Sequence, residues 1–340
     1  MNIYDTAVLN GVVQSLKRPK TFLLNTVFGT IQTETAEQIA VDILIGNRRV
    51  APFVSPLVAG KVLTQDGFTT KLYKPAYIKP KSVVDPNRAF KRQAGEQIGG
   101  TMNPQERLMA TVRAIIEDHA DQITRRLELM AAEALRLSQV TVTGEGFETQ
   151  VVSFGRSTAL TIALTGTDKW GDAASTPLDD LEAWAELVHK TEGAVITTIV
   201  MDPDAWAAFR QNAQVQKLLD VRRAAGTPVE LGPSTYVGGA QFKGTIGSFD
   251  IWVYSEYYED PTTGTVTPLL PSGTVLGFGP NVEGVQAFGA IRDEAAGLQA
   301  MPIFVKSWTQ EDPSARFILS QSAPLVYPRR PNGSFAATVL

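Results

Sequence analysis

The chain has 340 residues, 31 basic against 35 acidic side chains for a net charge of −4, and 44% hydrophobic residues. Such a composition suits one large folded domain or two to three smaller ones, and it excludes a body that grips nucleic acid through overall positive charge. With no cysteine and only His119 and His189, disulfides and thiolate chemistry are excluded, and little is left for a histidine metal cage or proton relay. No run approaches about 18 apolar residues, and the opening MNIYDTAVLNGVVQSLKRPKTF lacks a basic region followed by an apolar one. Neither a membrane span nor a signal peptide is expected, and a cytoplasmic product fits.

In chain order, the first stretch mixes short apolar groups with polar breaks and shows no strong amphipathic period. IAVDILI (39–45) reads as a strand. From Ala51 to Arg92, PFVSPLVAGKVL and FTTKLYKPAYI alternate around Gly60 and Gly67, with Pro75, Pro80 and Pro86 following. They predict an extended two-stranded excursion, which buries little of itself and needs something to lie on. Lys71, Lys74, Lys79, Lys81, Arg88, Lys91 and Arg92 stand here against Asp85 alone. Two readings stay open, a solvated loop or a basic face for an acidic neighbour or phosphate backbone.

Asn103-Pro104-Gln105-Glu106 then supplies a cap, a proline at the first helical position and a carboxylate at the third. Leu108, Val112, Ile115, Ile116, Ile123, Leu127, Met130, Ala134 and Leu137 recur at mostly three- and four-residue steps, with no Gly or Pro before Gly144. One long spine helix over 104–139 is predicted, packed by its stripe and not by a coiled-coil seam. His119 falls near that stripe and reads as a satisfied, partly buried histidine.

Residues 140–165 read as strands broken by Gly144 and Gly146, and GTDKWGDAASTP as a loop. Thr176-Pro177-Leu178-Asp179 repeats the helix-start pattern, Leu181, Trp184, Ala185 and Val188 give its apolar face, and Gly193 ends it. AVITTIVM (194–201) is a buried-strand run, Asp202-Pro203 opens another helix through Trp206 and Phe209 toward Leu218, Leu219, Arg222 and Arg223, and strands follow in DIWVYSEYYED, GTVTPLL, GTVLGFG, MPIFVKSW and ARFILSQSAPLVY. There is no P-loop, nucleotide-binding glycine fingerprint, nucleophile elbow or H-E-x-x-H motif. The pairs Asp179/Asp180 and Asp202/Asp204 sit where first-turn carboxylates complement a helix dipole. No catalytic, cofactor or metal residues are assigned.

The chain resembles the lambda-type major capsid protein family along nearly its whole length. The resemblance is carried by APFVSPLVAGKVL (51–63), YKPAYIKPKSVVDP (73–86), TVTGEGFETQVVSFGRS (141–157), IVMDPDAWAAFR (199–210) with DVRR (220–223), and DPSARFILSQSAPLVYP (312–328), in the family's order. It implies an α+β Hong Kong 97-type capsid fold. Its parts would be an N-terminal arm (1–48), an extended loop with flanking strands (49–92), a peripheral domain with the spine helix (93–176), an axial α/β domain (177–297) and returning peripheral strands (298–340). It further implies a non-enzymatic head protein, assembled in the host cytoplasm as pentamers and hexamers into the icosahedral virion shell around double-stranded DNA. Partners would be other copies, scaffold and portal proteins, a decoration protein, and DNA through weak non-specific contact, with no membrane. Inter-subunit contacts on the loop are expected from Phe53, Val54, Pro56, Val58, Lys61, Val62, Phe68 and Leu72, though Phe53 and Val54 read equally well as the ribbon's internal core. The turn from Pro261 to Gly264 would approach a symmetry axis. A lysine–asparagine cross-link from Lys61 or Lys71 to Asn281 is not expected. Two other classes are weighed: an encapsulin-like compartment shell, and a soluble enzyme with an unrecognised carboxylate site.

Overall fold

The computed structural model describes residues 4–16, 21–36, 38–44, 50–51, 53–57, 59, 67–85, 102–144, 146–217, 236–261, 263–312 and 315–340. Helices α1 (Thr6–Ser15), α2 (Leu23–Val27), α3 (Pro104–Leu137), α4 (Pro177–Glu192) and α5 (Pro203–Gln211) lie among strands of an α+β chain. Among the described residues the strands form a seven-stranded mixed sheet, two three-stranded sheets and three two-stranded pairs.

α3 organises the molecule, and its ends are closed by chemistry local to each. Asn103 Oδ1 accepts from the Glu106 N–H at 2.8 Å and Glu106 Oε2 accepts from the Asn103 N–H at 2.9 Å, a reciprocal capping box. The helix stops two residues short of the predicted end, because Ser138 takes a left-handed conformation (φ 53°) and Gln139 opens a strand. The last carbonyls do not go begging. Buried Arg156 donates from Nη1 to Leu135 O at 2.5 Å and from Nη2 to Arg136 O at 2.7 Å, a cation at the negative end of the helix dipole. Desolvation lowers the Arg156 pKa to about 10, so the guanidinium stays charged at neutral pH. At about 1.5 Å per residue the 34 residues of α3 span roughly 50 Å.

One helix of that length serves two cores. In its first half, Val112 and Ile116 pack with Leu9 and Val13 of α1 and with Val84, Val305 and Ile318 of a three-stranded sheet. That sheet orders Phe304–Gln310, Ala315–Gln321 and Lys81–Val84 as antiparallel neighbours. His119 is buried there between hydroxyls, with Nε2 2.8 Å from Ser82 Oγ and Nδ1 3.0 Å from Ser320 Oγ. Burial lowers its pKa, with the nearby Asp118 charge opposing. The structure thus gives His119 the bridging role of a satisfied core histidine. In the second half of α3, Ile123, Leu127, Met130, Ala131 and Leu135 enter a larger core with α2 and one face of the seven-stranded sheet.

The seven-stranded sheet runs in the order Thr161–Ala163, Ser334–Thr338, Thr274–Phe278, Thr198–Met201, Phe249–Tyr254, Ala240–Ile246, Tyr236–Val237. Its side chains divide by the period of two. Ile199, Met201, Val275, Phe335 and Ile251 turn toward α4 and α5, while Val200, Leu276, Phe278 and Ala336 turn toward the α3 core. Gly277 in the middle is a space requirement, since a Cβ there would lie 2.1 Å from the Phe335 ring. On the α4/α5 side, Trp170 from the preceding loop is buried against Trp184 (6.0 Å between centroids) and Phe209 (5.5 Å). Asp180 Oδ2 accepts its indole N–H at 2.9 Å. α4 begins at Pro177 as predicted, but Thr176 makes no side-chain cap; Gln214 Oε1 accepts from the Leu178 N–H instead, at 3.1 Å. Gly193 ends it at φ 77°, the left-handed cap that glycine adopts without strain. Asp202 caps α5 by accepting from the Asp204 and Ala205 N–H groups, and α5 stops at Gln211, short of the expected run toward Leu218, because Asn212 turns to extended backbone; Leu218 to Arg223 lie outside the described residues.

Several sequence expectations are corrected by these pairings. The opening segment is helical at α1, which the weak periodicity concealed. Phe68–Tyr73 pairs with Ile39–Leu44, a partner the sequence did not indicate, because Ile39, Val41 and Ile43 bring a buried face; much of the 51–63 piece lies outside the described residues. Strand 30–34 runs parallel to Gly284–Gly289, which also pairs with Pro324–Pro328. The unpredicted strand Ser334–Thr338 joins Thr274–Phe278 and Thr161–Ala163. Sheets therefore mix the 177–297 segment with the segments before and after it.

The start of α2 is held by a buried carboxylate. Glu128 of α3 accepts from the N–H groups of Phe22 (3.1 Å) and Leu23 (2.9 Å) through Oε1 and of Leu24 (2.9 Å) through Oε2, and Oε1 also accepts the Tyr254 hydroxyl at 2.8 Å. Burial raises the Glu128 pKa against the pull of these donors. Nearer the surface, Asp293 takes an ion pair from Lys306 and hydrogen bonds from Gln321 Nε2 (2.9 Å) and the Ala295 N–H (3.1 Å). Burial raises its pKa, but these bonds and the Lys306 charge outweigh burial and hold it below the ordinary aspartate value.

Two outcomes follow from these groups. Glu128→Ala strands four donors and is expected to lower stability in urea unfolding by about 2–4 kcal/mol, and Glu128→Gln, which keeps one acceptor, by roughly half as much. Because the folded pKa of Asp293 is depressed, its contribution is present above the ordinary aspartate pKa and is lost as pH falls through the folded value. The stability advantage of wild type over Asp293→Asn at pH 7 should therefore shrink progressively as pH falls below the ordinary aspartate pKa.

Candidate assembly surfaces

Of the predicted contact residues, Phe53 to Val62 fall between Leu44 and Phe68, and Phe68 and Leu72 on the strand that follows. Val50 and Leu57 are 90% and 95% exposed, Phe53 is fully exposed, and Val54 and Pro56 are exposed. Phe53 and Val54 thus belong to none of the buried clusters of the described residues. Phe68 and Leu72 stand on the same outward face of strand 68–73 and are exposed. Val58, Lys61 and Val62 fall outside the described residues, as do Arg88, Lys91 and Arg92. Val50 and Leu57 were not singled out in the sequence, where nothing distinguishes an exposed valine or leucine from a buried one.

The described lysines are held on different elements. Lys71 is on the ribbon's other face and donates to Ser153 O at 2.7 Å. Lys79 Nζ stands 4.9 Å from the Tyr77 ring, and Lys81 Nζ 4.1 Å from the Phe317 ring on the three-stranded sheet. Lys74 is exposed beside the ribbon. The hairpin of Tyr257–Glu259 and Val266–Pro268 carries the Pro261 and Gly264 turn outward.

No group of three or more His, Asp or Glu able to hold a metal ion occurs among the described residues. Asp179 and Asp204 are engaged locally, accepting from Gln214 Nε2 at 2.8 Å and Ser272 Oγ at 2.6 Å. A cleft of about 580 Å³ between α3 and the hairpin is lined by Asp118, Arg125, Arg126, Tyr258, Glu259 and Asp260 among others. These are charges of both signs, with no serine, lysine or histidine among its described lining residues. No helix of the described residues is long and apolar enough to cross a membrane. Chemically, the arrangement offers uncovered apolar side chains on thin extensions of a well-packed body.

Comparison with known proteins agrees. The family model for phage major capsid protein E matches residues 5–339. The chain is 29% identical over 333 residues to the major capsid protein of Escherichia phage lambda and 30% identical over 334 to that of Escherichia phage N15, covering 96% of each chain in both cases. In structure it is similar to a prophage capsid protein of E. coli CFT073 (TM-score 0.76, 20% identity, 99% of both chains). It is also similar to the mature capsid subunit of bacteriophage PhiM1 (TM-score 0.53, 12% identity, 95% of this chain and 88% of that one). With a Hong Kong 97-type α+β fold and a sequence match along almost its entire length, this chain belongs to the phage major capsid protein E family.

Proposed function

We propose that this chain is the repeating subunit of a tailed-phage head, assembling as pentamers and hexamers into the icosahedral virion shell that encloses double-stranded DNA. The observation that carries this reading is the exposed apolar stretch at Val50, Phe53 and Leu57. Burying such side chains yields about 1.5–3 kcal/mol each, while ordering the backbone costs about 1–2 kcal/mol per residue. The two nearly cancel for one contact. A closed lattice, in which every subunit gives and receives the contact, makes the sum favourable.

In this reading, residues 1–48 form the arm, 49–92 the extended loop, 93–176 and 298–340 the peripheral region built on α3, and 177–297 the axial region, with the 334–338 strand tying the last two together. Phe53, Val54, Pro56, Val58, Lys61, Val62, Phe68 and Leu72 make contacts between subunits. The Pro261–Gly264 turn approaches a symmetry axis. Scaffold, portal and decoration proteins are the further partners of such a shell. Contact with packaged DNA is weak, independent of sequence and sensitive to salt, as a net charge of −4 and lysines already held by rings and carbonyls favour. The work is structural and needs no cofactor.

Electron microscopy of the purified protein, expressed with its scaffold, is expected to show closed shells or rings of five and six; a persistent monomer with scaffold present would overturn the assignment. Phe53→Ser with Leu57→Ser should leave unfolding of the dispersed subunit within about 0.5 kcal/mol of wild type. The same pair should reduce the yield of shells on sedimentation; an unchanged yield would remove the loop from the interface.

A further inference from the structure

His119 is buried on the spine helix, yet its ring reaches two strands at once. Nε2 lies 2.8 Å from Ser82 Oγ on strand Lys81–Val84, and Nδ1 lies 3.0 Å from Ser320 Oγ on strand Ala315–Gln321. The first strand is where the chain coming from the ribbon joins the body. It has four residues and, among the described residues, pairs on one side only, with Arg316 to Leu319. Just before it, Ile78 and Ser322 exchange backbone hydrogen bonds of 2.9 and 3.0 Å, and Pro80 O accepts from the Ser320 N–H at 3.0 Å.

A neutral imidazole suits both serines, because one ring nitrogen accepts from a hydroxyl while the other donates to one. A protonated ring has two donors and no acceptor. Whichever serine had been donating must then turn its hydrogen away, and Ser320 is wholly buried. The new charge would also stand beside the cluster of Val84, Ile116, Val305 and Ile318, where it lacks solvation.

Few charges face the ring to offset this. Asp118, its neighbour on α3, favours the charged form but is outweighed by desolvation. Glu117 and Asp121, two residues away on either side, project from other faces of the helix. α1 carries no titratable side chain between Thr6 and Ser15. Lys81 and Lys306 both stand opposite Leu319 and so alternate to the sheet's far face. Arg316, four residues from Ser320, is engaged by the Tyr4 ring and Ser307. Of the three parts that meet here, α3 is capped at both ends and 315–321 is paired on both sides. The short edge strand is the one least held.

We propose that His119 is a proton-operated latch, which when neutral fastens strand Lys81–Val84 to the spine helix and on taking up a proton releases that strand. The proposal concerns the single subunit and does not rest on the shell reading.

Hydrogen exchange of the full chain, read by mass spectrometry at about pH 7.5 and about pH 5, tests it, with times rescaled for the intrinsic pH dependence of amides. The peptide covering 81–84 is expected to exchange several-fold faster at the lower pH, while 274–278 in the seven-stranded sheet does not change. His119→Gln keeps a donor and an acceptor but takes no proton, and should abolish the response. An unchanged 81–84 peptide in wild type would overturn the latch. So would an equal rise in His119→Gln, which assigns the response to carboxylates, or a matching rise at 274–278, which assigns it to global unfolding. Wild type also decides alone, should the variant fail to fold. With only His119 and exposed His189 in the chain, NMR of labelled histidine resolves both rings. His119 should titrate below the ordinary value of about 6.5, in step with the rise in exchange. Exchange that rises while His119 is still neutral would overturn the proposal.

Discussion

A single buried carboxylate ties the start of α2 to the spine helix and the mixed sheet. Glu128 lies in the second half of α3, where Leu127 and Ala131 face the core, and a charge there would ordinarily be costly. It is tolerated because three successive backbone N–H groups at the start of α2 and the Tyr254 hydroxyl all point at it. Those amides have no partner within a short helix, so each side removes the other's desolvation penalty. Three distant stretches meet at one side chain: the arm, the spine and the mixed sheet. Phe22 then packs against Trp252, with ring centroids 4.9 Å apart and planes tilted by 39°, and Phe28 and Leu23 join the same core.

That anchor explains how a chain with thin extensions keeps a defined shape. α3 is fixed at both ends, by the capping box at Asn103 and by Arg156 at Leu135 and Arg136. Along its length it joins the three-stranded sheet, α2 and the seven-stranded sheet. The body is therefore well packed, while Val50, Phe53 and Leu57 stand almost wholly exposed beyond Leu44. In the proposed shell this division is useful, since the packed part would transmit position and the extensions would meet neighbours.

Legibility in the sequence followed the range of the interactions. α3, α4 and α5 could be read because caps, prolines and apolar spacing are local, and Gly193 ends α4 where the pattern stops. Sheet pairing was not legible. Nothing in TIQTE (30–34) indicates that it lies parallel to Gly284–Gly289, and the 334–338 strand has too few large side chains to stand out as SFAAT. α1 was hidden because its inward face amounts to Leu9 and Val13 with Gly11 between them. Trp170 sat in a stretch that reads as loop, and only tertiary packing makes it a core residue. As for surfaces, Phe53 was identifiable as a candidate, but Val50 and Leu57 were not.

The placement of Ser334–Thr338 inside the seven-stranded sheet has a consequence for biosynthesis. Strand Thr274–Phe278 leaves the ribosome long before the strand that lies beside it, and until then it presents an open edge. The vacant place of the Phe335 ring beside Gly277 leaves the core behind that edge incomplete as well. A nascent or truncated chain is thus a poor building block and a good substrate for chaperones and proteases. A polymer of many identical copies gains from that order of events, because fragments are screened out before they can enter the lattice.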